Sequence, residues 1–156
     1  MDAALINPFI QGAQMVFNTI CHELPKLGQV FVKKAPYTTS SVTVAISIIG
    51  DFAGEVVYNM EEPAGCFIAS NLMGGMPVPA LDEMSQSAVS EMANMISGNV
   101  ATLFSGKGFK IDISPPRFKM NPAPTDFPVA TTVEKVVCVP LNFSGGQTVE
   151  LDIALP

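Results

Sequence analysis

The sequence predicts an α/β protein of the α+β type, in which helices pack on a mostly antiparallel sheet and two related helix-and-hairpin units flank an extra helix. Two pairs of strand-like segments show this first: "SVTVAISII" with "EVVYNM", and "VEKVVCVPLNF" with "TVELDIAL", each pair joined by a glycine-containing turn. Each pair is preceded by a long segment of helical periodicity and then a short strand, so the order helix, strand, hairpin occurs twice. With 156 residues, the chain has the length of one ordinary domain, spanning 1–156.

The first helix is expected to start at Asn7 as N-cap with Pro8 in the first helical position, and to run to about Glu23 before Pro25. "QVFVKK" then reads as a short strand. In "SVTVAISII", Val42, Val44, Ile46 and Ile48 alternate with Thr43, Ala45 and Ser47, and "GDFAG" turns the chain into "EVVYNM". "EEPAGCFIASNLMGG" is a helix with Pro63 near its start and Gly74 past its end. A longer helix covers about Leu81 to Phe104. "FKIDIS" is a short strand, a loop with five prolines spans Pro115 to Pro128, and the second hairpin turns at "SGG". Its last strand alternates Val149, Leu151, Ile153 and Leu155 with Glu150, Asp152 and Ala154, which predicts one buried face.

The two units overlay by pattern. Residues 7, 11 and 14 fall on 87, 91 and 94, and Val32 falls on Asp112, all 80 apart, while the hairpin turns lie about 92 apart. Where the second unit has Glu91 and Asn94, the first has Gln11 and Gln14.

Composition narrows the function. Apolar residues make up 48% and charged ones 14%, which excludes a disordered chain and leaves apolar surface for a partner subunit. A net charge of −6 with eight Lys and Arg argues against nucleic acid or an anionic membrane as partner. Cys21, Cys66 and Cys138 each sit in an apolar run and read as free thiols of a reducing compartment. A single histidine, His22, allows no familiar zinc spacing, so no metal ligands are assigned. "MDAALINPFIQ" lacks the basic start of a secretory signal, and no run approaches ~18 apolar residues, so the expected location is the cytoplasm.

The long helix carries the most informative pattern. At about 100° per residue, with Ser87 at zero, Glu91, Asn94, Gly98 and Ser90 fall within about 60° of it. Val89, Met92, Met95, Ile96, Val100 and Leu103 form the opposite, buried face. The polar stripe contains no Lys or Arg, spends a mid-helix position on Asn and accepts a glycine that costs about 1 kcal/mol relative to Ala. A solvated face and a presented docking face both remain open on these residues, and these choices raise the docking face above what an arbitrary Glu-x-x-Asn pair would suggest.

Ser87-x-x-x-Glu91-x-x-Asn94 followed by "MISGN", a proline at Pro115 or Pro116, "NPFI" in the first helix and "GEVVYNMEEPAGCFIASNLMGG" ahead of the signature resemble the CheC, CheX and FliY family of chemotaxis phosphatases, above all its CheX branch. The resemblance covers nearly the whole chain. It implies a CheC-like fold and hydrolysis of the aspartyl-phosphate of a CheY-type response regulator, ending its signal to the flagellar motor. Asn94 would orient the attacking water, and Glu91 would dock on a lysine of the regulator; Ser87, Ser90 and Gly98 would belong to the partner-binding face. The regulator would hold the Mg2+, so this chain would bind no cofactor. A homodimer formed through sheet edges is implied as well. Some relatives carry the signature on both helices; Gln11 and Gln14 break it on the first.

Two other classes of function fit the residues. One is a docking module for a response regulator or motor protein that hydrolyses nothing. The other is a carrier of apolar ligands, which would need a large pocket between helices and sheet. The remaining motifs read as structure: "GKGF" at 106–109 lacks the spacing of a phosphate loop, "FSGGQ" is a hairpin turn, "NFS" at 142–144 lies in that turn, and His22 with Glu23 marks a helix end. Met73, Met76, Met84, Met92 and Met95 are expected to fill core.

Overall fold

A computed structural model of the protein describes residues 3–34, 39–123 and 135–155. The elements follow in the order α1 (Ala3–Cys21), β1 (Lys26–Leu27), β2 (Phe31–Lys34), β3 (Val42–Gly50), β4 (Gly54–Met60), α2 (Glu62–Leu72), α3 (Glu83–Ser105), β5 (Ile111–Ile113), β6 (Arg117–Met120), β7 (Lys135–Asn142) and β8 (Thr148–Ala154). The strands form one sheet in the order β1-β7-β8-β4-β3-β5, with β2 also on β7 and β6 also on β3, and every described pair is antiparallel. The expected α+β class, with helices on a mostly antiparallel sheet, is the one observed.

Two expectations change. Helix α1 begins at Ala3 rather than at Asn7, with Pro8 inside it. Ile6 is buried and Leu5 packs against the core, so apolar burial extends the helix past a proline whose missing N–H affects only its first turns. At the other end Cys21 closes the helix and His22 adopts a left-handed φ of 54°. Second, the proline-rich loop contains strand β6, which pairs Phe118 with Val44 and Arg117 with Ala45. Prolines hid it, yet its four residues contain none, so their backbone is free to join the edge of β3. The remainder of the expected loop, from 124 on, lies outside the described residues.

Strand β6 also corrects the internal overlay. Phe31 faces Cys138 and Phe118 faces Val44; Lys26 faces Asn142 and Ile113 faces Ile48. A shift of 87 residues therefore relates both short strands, and a shift of 94 relates the hairpins they join. Val32 corresponds to Lys119, not to Asp112. Each unit's short strands pair with the hairpin of the other unit, so the halves clasp each other about an approximate two-fold axis between β4 and β8.

Helices α1 and α3 run in opposite directions, since Phe9 meets Phe104 while Met15 meets Asn99. Gly12 makes their close approach possible, because a Cβ there would lie 2.8 Å from Val100 Cγ2. Phe9, Phe17 and Phe104 from the helices join Ile46, Tyr58, Leu141 and Leu151 from the sheet in one fully buried cluster. The alternation predicts one buried face, yet Thr43, Ala45 and Asp152 on the opposite face of the sheet are buried too. Its polar groups are matched across strands: Asn59 donates to Glu150 and Asp152 at 3.1 and 2.5 Å, Lys33 pairs with Glu150 at 2.9 Å, and Arg117 pairs with Glu55 at 3.2 Å.

Within the core, the Tyr58 hydroxyl on β4 lies 2.7 Å from the Ser97 hydroxyl on α3, and both residues are buried. Burial pushes the Tyr58 phenol far above its usual range despite that hydrogen bond. Replacing Tyr58 with Phe leaves the Ser97 hydroxyl without this partner and should cost about 1–2 kcal/mol in chemical denaturation. A loss below about 0.3 kcal/mol would mean that the pair contributes nothing net.

Candidate functional site

The site is built on α3, and the sequence around α3 sets where the helix starts and how it sits. Asp82 accepts the Ser85 backbone N–H at 2.9 Å, while Ser85 Oγ accepts the Asp82 N–H at 2.7 Å, which satisfies donors at the first turn. The Leu81 N–H donates to Glu62 Oε2 at 3.1 Å and ties this end to α2. At the far end, Phe104 stacks edge-on with Phe9, Phe52 and Phe109, at centroid distances of 5.8, 4.9 and 5.9 Å. Between these anchors Val89, Met92, Ile96 and Val100 are buried, as expected, and Ser97 and Phe104 join them; Met95 and Leu103 are half-buried.

The stripe faces outward. Ser87 and Glu91 are exposed, and Ser90, Asn94 and Gly98 are half-buried beside them. Neither the Glu91 carboxylate nor the Asn94 carboxamide has a hydrogen bond or ion pair among the described residues. A Cβ built at Gly98 would meet no atom within 4 Å, so the packing of this chain does not require glycine there. The three helices carry no Lys or Arg at all, whereas Glu62, Glu83 and Glu91 lie on them. The described cations lie on the strands and loops of the sheet, which leaves the helical layer acidic.

On α1, Gln11 is exposed, but Gln14 is half-buried and donates to the Pro25 carbonyl at 3.4 Å. The counterpart of Asn94 is thus engaged in holding the chain after α1. Pro115 and Pro116 sit between β5 and β6 at the sheet edge. The methionine expectation holds in part: Met92 is buried and Met73 half-buried, but Met76 and Met84 are exposed.

All three cysteines are free; Cys138 is buried and the other two are half-buried. Burial, helped by the Glu23 charge, pushes the Cys21 thiol up to about 11. The sequence reading did not anticipate that Cys138 Sγ lies within 4.8 Å of carboxylate oxygens of Glu150 and Asp152. The alternation of β8 puts the two acids on one side, but only the β7–β8 register brings Cys138 opposite Asp152. Burial first, then the Asp152 and Glu150 charges, push this thiol far up. Burial also pushes Glu150 up, but hydrogen bonds with Asp152, Lys33 and Asn59 outweigh it and hold that carboxyl below its usual range. With the Lys33 ammonium already at Glu150, this is an internal ion cluster rather than a vacant cation site.

Hydrogen bonds from the Ser85 backbone and hydroxyl hold the Asp82 carboxyl below its ordinary 3.8. A lowered carboxyl contributes stability above the unfolded value and loses it as pH falls through the folded one. The gap in thermal midpoint between wild type and Asp82→Ala should therefore be constant from about pH 7 to 5 and shrink below about pH 3.8. A gap that persists unchanged at about pH 2 would show that the carboxylate charge is not what caps α3.

A protein-family model described as the chemotaxis phosphatase CheX matches residues 42–141. The CheY-P phosphatase CheX of Thermotoga maritima is 29% identical over 116 residues, which are 74% of this chain and 75% of that protein. Among solved structures, CheX of Borrelia burgdorferi in complex with CheY, BeF3 and Mg2+ is similar with a TM-score of 0.78 and 26% identity over 96% of each chain. A CheC-like superfamily protein of Shewanella sp. PV-4 has the same fold with a TM-score of 0.83 and 23% identity, over 100% of this chain and 99% of the other.

Proposed function

The chain belongs to the CheX family of chemotaxis phosphatases, and from that membership we propose that it accelerates hydrolysis of the aspartyl-phosphate of a CheY-type response regulator. The observation that supports this best is the free carboxylate and carboxamide of Glu91 and Asn94, one turn apart on the outward face of a helix anchored at both ends. Phosphoryl transfer from an acyl phosphate needs positioning and charge neutralisation more than covalent chemistry from the catalyst. A carboxamide accepts with its oxygen and donates with its nitrogen, so Asn94 can hold a water in line with the phosphorus. Glu91 pairs with a lysine of the regulator, and Ser87, Ser90 and Gly98 complete the contact face. The Mg2+ that neutralises the phosphoryl oxygens stays with the regulator. No helix among the described residues is long and apolar enough to cross a membrane. A cytoplasmic location of the reaction is part of the same proposal.

The measurement that tests this is the decay of a phosphorylated CheY-type regulator with Mg2+, with and without catalytic amounts of the protein. Asn94→Ala should lower turnover by at least about a hundredfold while retaining binding. Glu91→Ala should weaken binding roughly tenfold, about 1.4 kcal/mol. Wild-type protein that binds the regulator without accelerating decay would make this chain a docking module.

The same reading includes a homodimer through a sheet edge. Leu24, Leu27, Val30, Phe31 and Val32 are all exposed along β1 and β2, and β2 pairs only with β7 among the described strands. An apolar edge of that kind invites pairing with a second copy. Val32→Lys should convert the dimer to a monomer in light scattering, whereas an unchanged mass would remove this edge from the interface.

A further inference from the structure

The exposed apolar residues fall into separate groups of different chemistry. Those on the β1–β2 edge are aliphatic and aromatic, whereas the large exposed ones on the helices, Met15 and Met84, are both methionines. Methionine is unbranched and polarizable, which suits a surface that must accept and release a partner. Met15 of α1 and Met95 of α3 both line a groove of about 450 Å³, together with Thr19, Gly98, Asn99 and Thr102. The hydroxyls of Thr19 and Thr102 turn back to carbonyls of their own helices, Met15 O at 3.1 Å and Gly98 O at 3.2 Å. The lining is mainly apolar, and a long contact from Asn99 Nδ2 to Met15 Sδ at 3.8 Å crosses it.

The groove is continuous with the stripe. Gly98 belongs to both, Met95 follows Asn94 directly, and the surrounding helical layer carries acids and no cation. Resting on the regulator-binding reading above, we propose that this groove is a second contact point for the same response regulator. It receives an apolar side chain of the regulator. Glu91 then supplies charge recognition and the methionines supply apolar area, so the groove adds affinity for the regulator in the ground and transition states alike. The open space above Gly98 is where the entering side chain passes the helix backbone.

The test uses Met15→Gln and Met15→Leu in the full chain, each checked for an unchanged thermal midpoint. Decay of the acetyl-phosphate-charged CheY-type regulator gives KM and kcat, and the BeF3-bound regulator gives affinity. Met15→Gln is expected to raise KM and weaken binding about tenfold with kcat within about twofold, and Met15→Leu to stay near wild type. Active wild type with Met15→Gln unchanged in KM and affinity would overturn the groove while leaving the phosphatase reading intact. Wild type that neither binds the regulator nor speeds its decay would overturn both.

Discussion

The seating of α3 on the sheet is the contact on which the rest depends. Two small side chains can position a water only if the helix carrying them neither rolls nor slides, because errors of about an ångström at a reacting centre cost about a hundredfold in rate. Apolar packing alone tolerates some roll. Here Val89, Met92, Ile96 and Val100 supply the buried area, the Tyr58–Ser97 hydrogen bond selects one rotation, and the Asp82 cap and the Phe104 ring cluster hold the two ends. Gly12 allows α1 close enough to brace the remaining side.

The two-fold arrangement explains why so much sheet accompanies so small a site. Each half lends its short strands to the hairpin of the other, so neither half has a complete sheet alone. The positions that overlay on α1 and α3 differ in their partners: Gln14 is tied to the Pro25 carbonyl, whereas the Asn94 side chain has no such partner among the described residues. Charge has separated between the layers as well. Cations support the buried Glu55 and the half-buried Glu150 on the sheet, through Arg117 and Lys33, and among charged residues the helices keep only acids. A helical face of one sign speeds encounter with a partner bearing the other.

Much of this was legible in the sequence because periodicity reports burial directly. The hairpins, α2, α3 and the outward stripe through Ser87, Glu91 and Asn94 lie where their patterns put them. Strand β6 was not legible, since four residues among prolines form a strand only because β3 offers an open edge. The start of α1 was misread because Pro8 resembles a first-turn proline, and only the burial of Ile6 shows that the helix is already under way. The second buried face escaped for a related reason. Alternation marks Glu150 and Asp152 as polar, but not that Asn59 and Lys33, distant in sequence, arrive to satisfy them. The groove at Met15 needed the crossing of two helices, which no local pattern records.

Docking of the response regulator on the outward face of α3 and the adjoining groove is the step from which the proposed activity follows. Its most direct test is to follow backbone amide shifts of the isotope-labelled protein as a BeF3-activated CheY-type regulator is added. Shifts concentrated between Ser87 and Gly98 and around Met15 to Thr19 are the predicted result. Saturable binding that instead perturbs the β1–β2 edge, and leaves α3 unchanged, would contradict it.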